Sequence, residues 1–217
     1  MKLKYNKLPI PENTVLPLLC SLLLQALVFQ GTKPLMAGAY HHNFETPWDL
    51  AIPFLPWTVL IYAGAFLYWF LAVVLIMQSG KENAFRFLWA HCISLLIALL
   101  FFVLLPTTNT RPEVQEGGLW NWGMRLVYFL DTPDNLFPSL HCELSWLCWR
   151  SLRQSSGISK FGKNCALVFT LLVFVSTLTT KQHVLMDVLG GWLIAELAFR
   201  LCGKEAIMRP FYKVFDR

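Results

Sequence analysis

Three short polar motifs interrupt an otherwise apolar sequence, and each stands at the end of an apolar run. The first contains Arg111, the second Ser139 and His141, and the third His183 with Asp187 four residues later. Imidazoles, a guanidinium and a carboxylate are groups that can hold a phosphate ester and transfer its phosphoryl group. The residue types therefore indicate phosphoryl-transfer chemistry, provided that the fold brings the three motifs together.

The spacing of His183 and Asp187 places both side chains on one face of a helix that begins near His183. The carboxylate can then accept a hydrogen bond from one imidazole nitrogen, which leaves the other nitrogen free to act as a nucleophile. A buried His–Asp pair that only tethers the helix end would have the same spacing. Lys181, two residues before His183, either neutralises phosphate or is simply solvated.

The second motif, Pro138-Ser139-Leu140-His141, opens an apolar run and predicts a helix start with proline in its first turn. Free amides and the helix dipole at such an end favour phosphate oxygens, so we place Ser139 and Leu140 in the phosphate-binding set. His141 is placed to protonate a leaving oxygen. An ordinary helix cap with a histidine at the level of the lipid headgroups is the alternative.

Arg111 follows a long apolar run in a polar segment bounded by Pro106 and Pro112, where the prolines end the helix. A guanidinium fork matches phosphate oxygens in a bidentate manner, so Arg111 joins the phosphate-binding set together with Lys181. A single arginine at a membrane interface can also contact lipid headgroups only.

The rest of the sequence must position these motifs, and its composition indicates a membrane. Apolar residues make up 56% of the chain and charged residues 14%, which excludes an ordinary soluble domain. Runs near the roughly 20 residues that cross a bilayer recur along the chain. We predict an all-α, polytopic bundle of six transmembrane helices in one domain, 1–217, with residues 31–34 as a loop. The predicted spans are 15–29, 54–77, 87–105, 140–152, 166–178 and 184–201.

The basic residues predict the orientation of such a bundle. Fourteen of the 18 Lys and Arg residues fall on the side that holds both termini. The other side holds four, which are Lys33, Arg111, Arg125 and Lys181. Because cytoplasmic loops are enriched in Lys and Arg, both termini are expected in the cytoplasm and all three motifs on the extracytoplasmic face.

The ordered set Arg-Pro, Pro-Ser-x-His and His-x-x-x-Asp over residues 104–191 resembles the type 2 phosphatidic acid phosphatase superfamily. The amino-acid sequence of residues 134–141 and 180–183 resembles the branch that includes inositol phosphorylceramide synthases and bacterial relatives. The resemblance implies a metal-independent double displacement in a six-helix bundle. In it His183 attacks phosphorus, Asp187 orients His183, and His141 protonates the leaving group.

The sequence also departs from the family pattern at three positions. Leu104 stands where the family has a lysine, Leu140 where it has a glycine, and Thr177 where it has an arginine. Two cations of the usual phosphate-binding set are therefore missing. Lys181 is the nearest candidate to replace them, and Arg125 is the alternative.

We therefore expect an integral membrane enzyme that hydrolyses a lipid phosphate or diphosphate, with the bacterial inner membrane and its periplasmic face favoured. Its expected partners are a phosphorylated lipid and the bilayer. No cofactor, metal or nucleic acid is expected, and the oligomeric state is open. A phosphotransferase that passes the phospho group to an alcohol would use the same residues. A non-catalytic lipid-binding or transport protein is disfavoured, because charged groups near a bilayer usually mark function.

Three further features receive structural predictions. His41 and His42, with Glu45 and Asp49, suggest a metal site, but their spacing matches no usual zinc motif and a solvated loop is favoured. His91 and Glu143 lie inside predicted spans, where helix–helix hydrogen bonds are expected. Residues 190–191 are both glycine, which predicts close helix packing.

Overall fold

The structure is a computed structural model that describes residues 12–215, and over this range it is mostly helical. This confirms the all-α fold class. The helices are α1 (Glu12–Ala26), α2 (Thr32–Met36), α3 (Pro47–Ala51), α4 (Val59–Met77), α5 (Lys81–Leu104), α6 (Leu119–Leu130), α7 (Leu140–Gln154), α8 (Lys160–Thr179), α9 (Leu185–Leu201) and α10 (Glu205–Phe215). Two short strands, β1 (His42–Asn43) and β2 (Thr107–Thr108), pair in parallel.

Four helical segments are long and apolar enough to cross a membrane within the described residues: 12–36, 56–77, 81–104 and 160–179. The first includes a π-helical turn, Leu27–Gly31, and the second a 3-10 turn, Pro56–Thr58. Helices α7 and α9 coincide with the other two predicted spans but have only 15 and 17 residues. The count of six spans therefore stays a prediction.

Helix α7 lies at the centre of the bundle, where it packs against α4, α5, α8 and α9. The neighbours of α7 are therefore other helices of the protein, whose polar groups can pair with the polar side chains of α7. The predicted helix–helix hydrogen bond is confirmed here: Nδ1 of His91 in α5 lies 3.2 Å from Oε1 of Glu143 in α7. Ser94 donates a short hydrogen bond to the same carboxylate oxygen.

The prediction of a loop at residues 31–34 is wrong. The chain continues from α1 through the π-helical turn into α2, so residues 12–36 form one helical segment. The Thr32 hydroxyl donates to the carbonyl of Val28 at 2.6 Å, which satisfies an acceptor in the turn. Pro34 has no N–H to donate to the preceding turn, and the π-helical turn directly before α2 departs from the regular α-helical hydrogen-bond pattern at this place. Lys33 consequently has a helical position.

The predicted proline in the first turn of α7 is also wrong. The helix begins at Leu140, and Ser139 is its N-cap residue, so Pro138 lies outside it. The Ser139 hydroxyl accepts from the amide of Cys142 at 3.4 Å. A serine favours this position because its side chain accepts from an amide that has no partner inside the helix.

The long segment between α5 and α7 is more ordered than the sequence indicates. It contains β2, and it also contains α6, whose Trp120, Trp122 and Phe129 are exposed. The pairing of β1 with β2 connects the segment before α3 to the start of the first motif, and the amide of His42 donates to the Pro106 carbonyl at 2.8 Å. The first motif therefore has a fixed backbone.

Candidate active site

The two residues of the third motif contact each other as their spacing predicts. Nδ1 of His183 lies 3.2 Å from Oδ2 of Asp187, which also accepts from the amide of Val184 at 3.0 Å. Helix α9 begins at Leu185, so His183 lies just ahead of the helix and the two residues do not share one helix face. With Asp187 accepting, the imidazole proton lies on Nδ1, and Nε2 keeps the lone pair that a nucleophile needs.

The structure brings His141 of the second motif close to His183. The two ring centroids are 6.2 Å apart. Aromatic side chains of α4 surround the His141 ring, with centroids at 4.3 Å for Tyr62, 5.9 Å for Phe66 and 5.1 Å for Trp69. Nε2 of His141 is buried and has no hydrogen-bond partner among the described residues. This nitrogen is therefore available to a ligand.

Two adjacent glycines allow α9 to approach the second motif closely. A Cβ atom on Gly191 would lie 2.4 Å from the carbonyl oxygen of Ser139, and one on Gly190 would lie 2.4 Å from the Phe137 ring. At this short distance the Ser139 amide donates to the Asp187 carbonyl at 3.0 Å. The predicted close packing is confirmed, and it sets the position of His141 relative to His183.

Arg111 connects the first motif to the third. Its NH2 donates to Oε1 of Gln182 at 2.6 Å, and its NH1 donates to the carbonyl of Asp131 at 2.5 Å. The guanidinium also stacks on the ring of Tyr128, 4.7 Å from its centroid. Burial lowers the pKa of Arg111, while the charge of Asp131 opposes this shift. The guanidinium remains charged near neutral pH because its ordinary pKa exceeds about 12.

Further hydrogen bonds hold the loops of the three motifs together. The Thr107 hydroxyl accepts from the amides of Leu136 and Phe137 at 3.0 and 2.8 Å. The Asn109 side chain donates to the carbonyl of Lys181 at 2.9 Å. Thr107 and Asn109 belong to the polar segment between Pro106 and Pro112 that contains Arg111. Part of this segment therefore holds the neighbouring motifs.

The ammonium of Lys181 donates hydrogen bonds to two backbone carbonyls. Nζ donates to the carbonyls of Asp49 and Ile52 at 2.7 and 2.6 Å. One of its three protons remains for another acceptor. The prediction that Lys181 binds phosphate stays a prediction. The structure adds a second role, because these contacts hold the end of α3 against the third motif.

Asp49 belongs to this same connection. Its Oδ1 accepts from the amide of Leu185 at 2.7 Å, and its Oδ2 accepts from the Thr46 amide at 2.9 Å. Burial raises the pKa of Asp49, but the hydrogen bonds of Thr46 and Leu185 and the charge of Lys181 outweigh burial and leave that pKa below its ordinary value. Within residues 12–215, no group of three or more His, Cys, Asp or Glu side chains could hold a metal ion.

The structure also locates the other predicted phosphate-binding residues and the departures from the family pattern. Ser139 is fully buried, and Leu140 packs its side chain in an apolar cluster, so only its backbone could meet a phosphate. Leu104 is 76% exposed at the end of α5, away from the core. Thr177 is buried and its hydroxyl donates to the carbonyl of Phe174 at 2.8 Å.

Several buried polar atoms from the motifs lack partners among the described residues. They are Nε of Arg111, Nε2 of His141, Nε2 of Gln182 and Oδ1 of Asp187. Buried polar groups are nearly always hydrogen-bonded in native proteins, so a concentration of unpaired ones suggests a site for a polar ligand. Three of the four atoms can donate a proton, which suits a ligand with anionic oxygens.

The sequence did not single out several residues that surround this site. Asp131 and Tyr128 come from the long segment between α5 and α7, Tyr62 from α4, Lys33 from α2, and Gln182 from the third motif itself. Tyr128 donates its hydroxyl to the Thr180 carbonyl at 2.8 Å. The available signals were weak: a tyrosine inside an apolar helix, and an aspartate shortly before the second motif.

Comparison with known proteins agrees with this arrangement. A family model described as the PAP2 superfamily matches residues 40–201, a range that contains all three motifs. No curated protein and no solved structure has significant similarity to the chain. With more than half of the chain matched, and with the two histidines and the aspartate gathered at one site, the protein belongs to the PAP2 superfamily.

Proposed function

We propose that this PAP2 superfamily member is an integral membrane lipid phosphatase that hydrolyses a lipid phosphate or diphosphate through a phosphohistidine intermediate. One observation carries the proposal. His183 is paired with buried Asp187 at 3.2 Å, and the His141 ring, whose Nε2 has no hydrogen-bond partner among the described residues, lies 6.2 Å from the His183 ring. An oriented imidazole facing a second, free imidazole is the arrangement that a double displacement requires.

In the first step, Nε2 of His183 attacks phosphorus, and the bond from phosphorus to the lipid oxygen breaks. His141 gives its proton to that oxygen. The nucleophile must lie about 3–3.5 Å from phosphorus. The acid must lie about 2.6–3.2 Å from the leaving oxygen. The ring centroids of His183 and His141 are 6.2 Å apart, so both imidazoles lie close enough to contact the same phosphate ester.

In the second step, water attacks the phosphohistidine, the bond between nitrogen and phosphorus breaks, and His141 accepts the proton of that water. Inorganic phosphate leaves and His183 regains its lone pair. Asp187 stabilises the positive charge that develops on the imidazole in both steps. Arg111 contacts the third motif through Gln182, and it would hold the phosphoryl oxygens.

The proposal includes a metal-independent reaction on the extracytoplasmic face. The imidazole nucleophile supports metal independence, since it needs no metal to become reactive. The distribution of Lys and Arg supports the orientation, since four of 18 lie on the side of the three motifs. A membrane-impermeant thiol reagent applied to single-cysteine variants in the outer segment would test the orientation in intact cells.

A phosphotransferase is the second candidate, and the burial of the site favours it. His183 is only 8% exposed, and three aromatic rings of α4 surround His141. A site with little access to water can transfer the phosphoryl group to an alcohol that is held in place of water. The resemblance to the inositol phosphorylceramide synthase branch points in the same direction.

One experiment separates these functions. Purified protein is incubated with phosphatidate, phosphatidylglycerophosphate or a polyprenyl diphosphate, with and without a lipid alcohol. Free phosphate is measured, and new phospholipids are identified by mass spectrometry. Release of phosphate that His183→Ala abolishes supports the phosphatase, and a new lipid that requires the alcohol supports the transferase. A His183→Ala protein with a rate near wild type would overturn both.

A further inference from the structure

Asp131 collects hydrogen-bond donors from three distant parts of the chain. Nζ of Lys33 lies 3.0 Å from its Oδ1, and the hydroxyl of Tyr62 donates to its Oδ2 at 3.3 Å. NH1 of Arg111 donates to its backbone carbonyl at 2.5 Å. The side chains of Lys33 and Asp131 are only 15% and 23% exposed. Asp131 is therefore a partly buried residue that accepts hydrogen bonds from two cations, Lys33 and Arg111, and from the phenol of Tyr62.

This meeting point adjoins the candidate active site. The ring of Tyr62 stacks on the ring of His141 with centroids 4.3 Å apart. Arg111, on the other side of Asp131, bonds Gln182, the residue before His183. Lys33 is thus connected to Arg111 through Asp131, and to His141 through Asp131 and Tyr62. No other lysine among the described residues contacts Asp131 in this way.

We propose that Lys33 is a phosphate-binding residue. Before substrate binds, the ammonium of Lys33 pairs with the carboxylate of Asp131, and the phosphate of the substrate then replaces that carboxylate. A carboxylate and a phosphoryl group are both oxyanions and accept hydrogen bonds from the same donors. This inference rests on the proposed function and adds to it the residue that supplies positive charge.

The departures from the family pattern explain why such a residue is needed. Leu104 is exposed at the end of α5, and the Thr177 hydroxyl is turned to a backbone carbonyl of its own helix. Neither position supplies a cation, so a dianionic phosphoryl group would meet Arg111 alone among the residues of these family motifs. Lys181 donates to two backbone carbonyls, and Lys33 also has two acceptors, Asp131 at 3.0 Å and the Thr132 hydroxyl at 3.3 Å. The difference is that Lys33 pairs with a carboxylate, an oxyanion that a phosphate can replace.

The backbone that carries Lys33 is fixed to the second motif. The side-chain amide of Asn135 donates to the Thr32 hydroxyl at 2.7 Å, and that hydroxyl donates to Val28 at 2.6 Å. Thr32 is only 2% exposed. The outer end of the first helical segment is therefore attached to the loop that precedes His141. This attachment fixes the backbone position of Lys33 relative to the second motif.

A purely structural ion pair would behave differently from the proposed one. If the Lys33–Asp131 pair only stabilised the fold, loss of either side chain would remove the same ion pair. Both variants would then weaken phosphate binding or leave it unchanged. Under the proposal the two partners act with opposite sign. Removal of Lys33 removes a donor to phosphate, while neutralisation of Asp131 removes a competitor for that donor and a repulsive charge.

The test measures the inhibition constant of inorganic phosphate during lipid phosphate hydrolysis by the purified full-length protein. We expect Lys33→Met to raise this constant about tenfold to a hundredfold, the effect of one charge-assisted hydrogen bond, and Lys33→Arg to recover part of it. We expect Asp131→Asn to lower it about twofold to fivefold, as for loss of a partly exposed ion pair. Lys160→Met, an equal charge change at the exposed start of α8, is the control.

Two outcomes would overturn the inference: Lys33→Met and Asp131→Asn shift the constant in the same direction, or Lys33→Met stays within twofold of Lys160→Met. If Lys33→Met fails to fold, Asp131→Asn decides, because an unchanged or higher constant contradicts displacement. The rise in melting temperature with added phosphate is measured in parallel. A wild type that binds phosphate but hydrolyses no lipid phosphate refutes the proposed function, and the melting shift then tests Lys33 alone.

Discussion

Replacement of Asp187 by asparagine tests the proposed mechanism most directly, because it removes one charge with little change in shape. Oδ2 lies 3.2 Å from Nδ1 of His183 and 3.0 Å from the Val184 amide, and the residue is 1% exposed. Asparagine can still accept from Val184 through its oxygen. What it cannot provide is negative charge beside an imidazole that becomes positive as it attacks phosphorus.

The contact distance gives the expected magnitude. Two unit charges 3.2 Å apart interact by about 5 kcal/mol at an effective dielectric constant of about 20, which is an upper bound here. A hydrogen bond to a charged group contributes about 1.5–3 kcal/mol net. A loss of about 2–5 kcal/mol corresponds to a fall in kcat of about thirtyfold to several thousandfold. KM should change little, because the charge develops only in the transition state.

The assay is phosphate release from the lipid that gives the highest wild-type rate, with kcat and KM determined separately. Glu113→Gln, a matched change in the exposed outer segment, serves as the control and should keep the wild-type rate. Melting temperature confirms that Asp187→Asn is folded. A folded Asp187→Asn protein with kcat within threefold of wild type would show that the carboxylate does not act on the nucleophile, and the proposed role of Asp187 would be wrong.

Four further predictions follow from the site. His141→Ala should reduce hydrolysis of a lipid phosphate much more than that of a nitrophenyl phosphate, whose leaving group needs no proton; equal losses contradict the acid role. Lys181→Met should lower kcat/KM about tenfold to a thousandfold, with partial recovery in Lys181→Arg, and a wild-type value contradicts phosphate binding. Gly191→Ala should lower the free energy of unfolding by about 1–3 kcal/mol or more, because its Cβ meets backbone. Gly190→Ala should lower it less, because its Cβ meets a ring that can turn. The reverse order in thermal unfolding contradicts the packing argument. Activity should survive chelators, and restoration only by added Mg²⁺ would refute the imidazole mechanism.

The sequence predicted the contacts that depend on short spacing and left out those that depend on packing. The contact of His183 with Asp187 was predicted from a separation of four residues, although His183 makes it from just ahead of the helix and not from a shared helix face. The close approach at residues 190–191 follows from missing side chains. The surroundings of Asp131 have no such pattern, since Lys33 lies 98 positions away along the chain. Contacts over such separations are set by how helices pack, and a single sequence does not record that packing.

The structure contradicts two of the predictions made from local sequence. Residues 31–34 contain a glycine, a polar residue, a lysine and a proline, which is the composition of a loop, but tertiary contacts favour a helix there. The Thr32 hydroxyl has one partner within its own helix and another in the loop before α7. Local propensity is a weak preference that such contacts override. Pro138 lies outside α7 for a local reason, because the Ser139 hydroxyl caps the helix that begins at Leu140.

The departures from the family pattern and the unexpected helix at residues 32–36 are connected. In this chain Leu104 and Thr177 supply no charge, and the extension of the first segment by α2 brings Lys33 within 3.0 Å of Asp131. The charge that a phosphoryl group requires depends on the sum of its surroundings and not on which helix provides each cation. A residue far from every motif can therefore complete a site whose motif residues are only partly present.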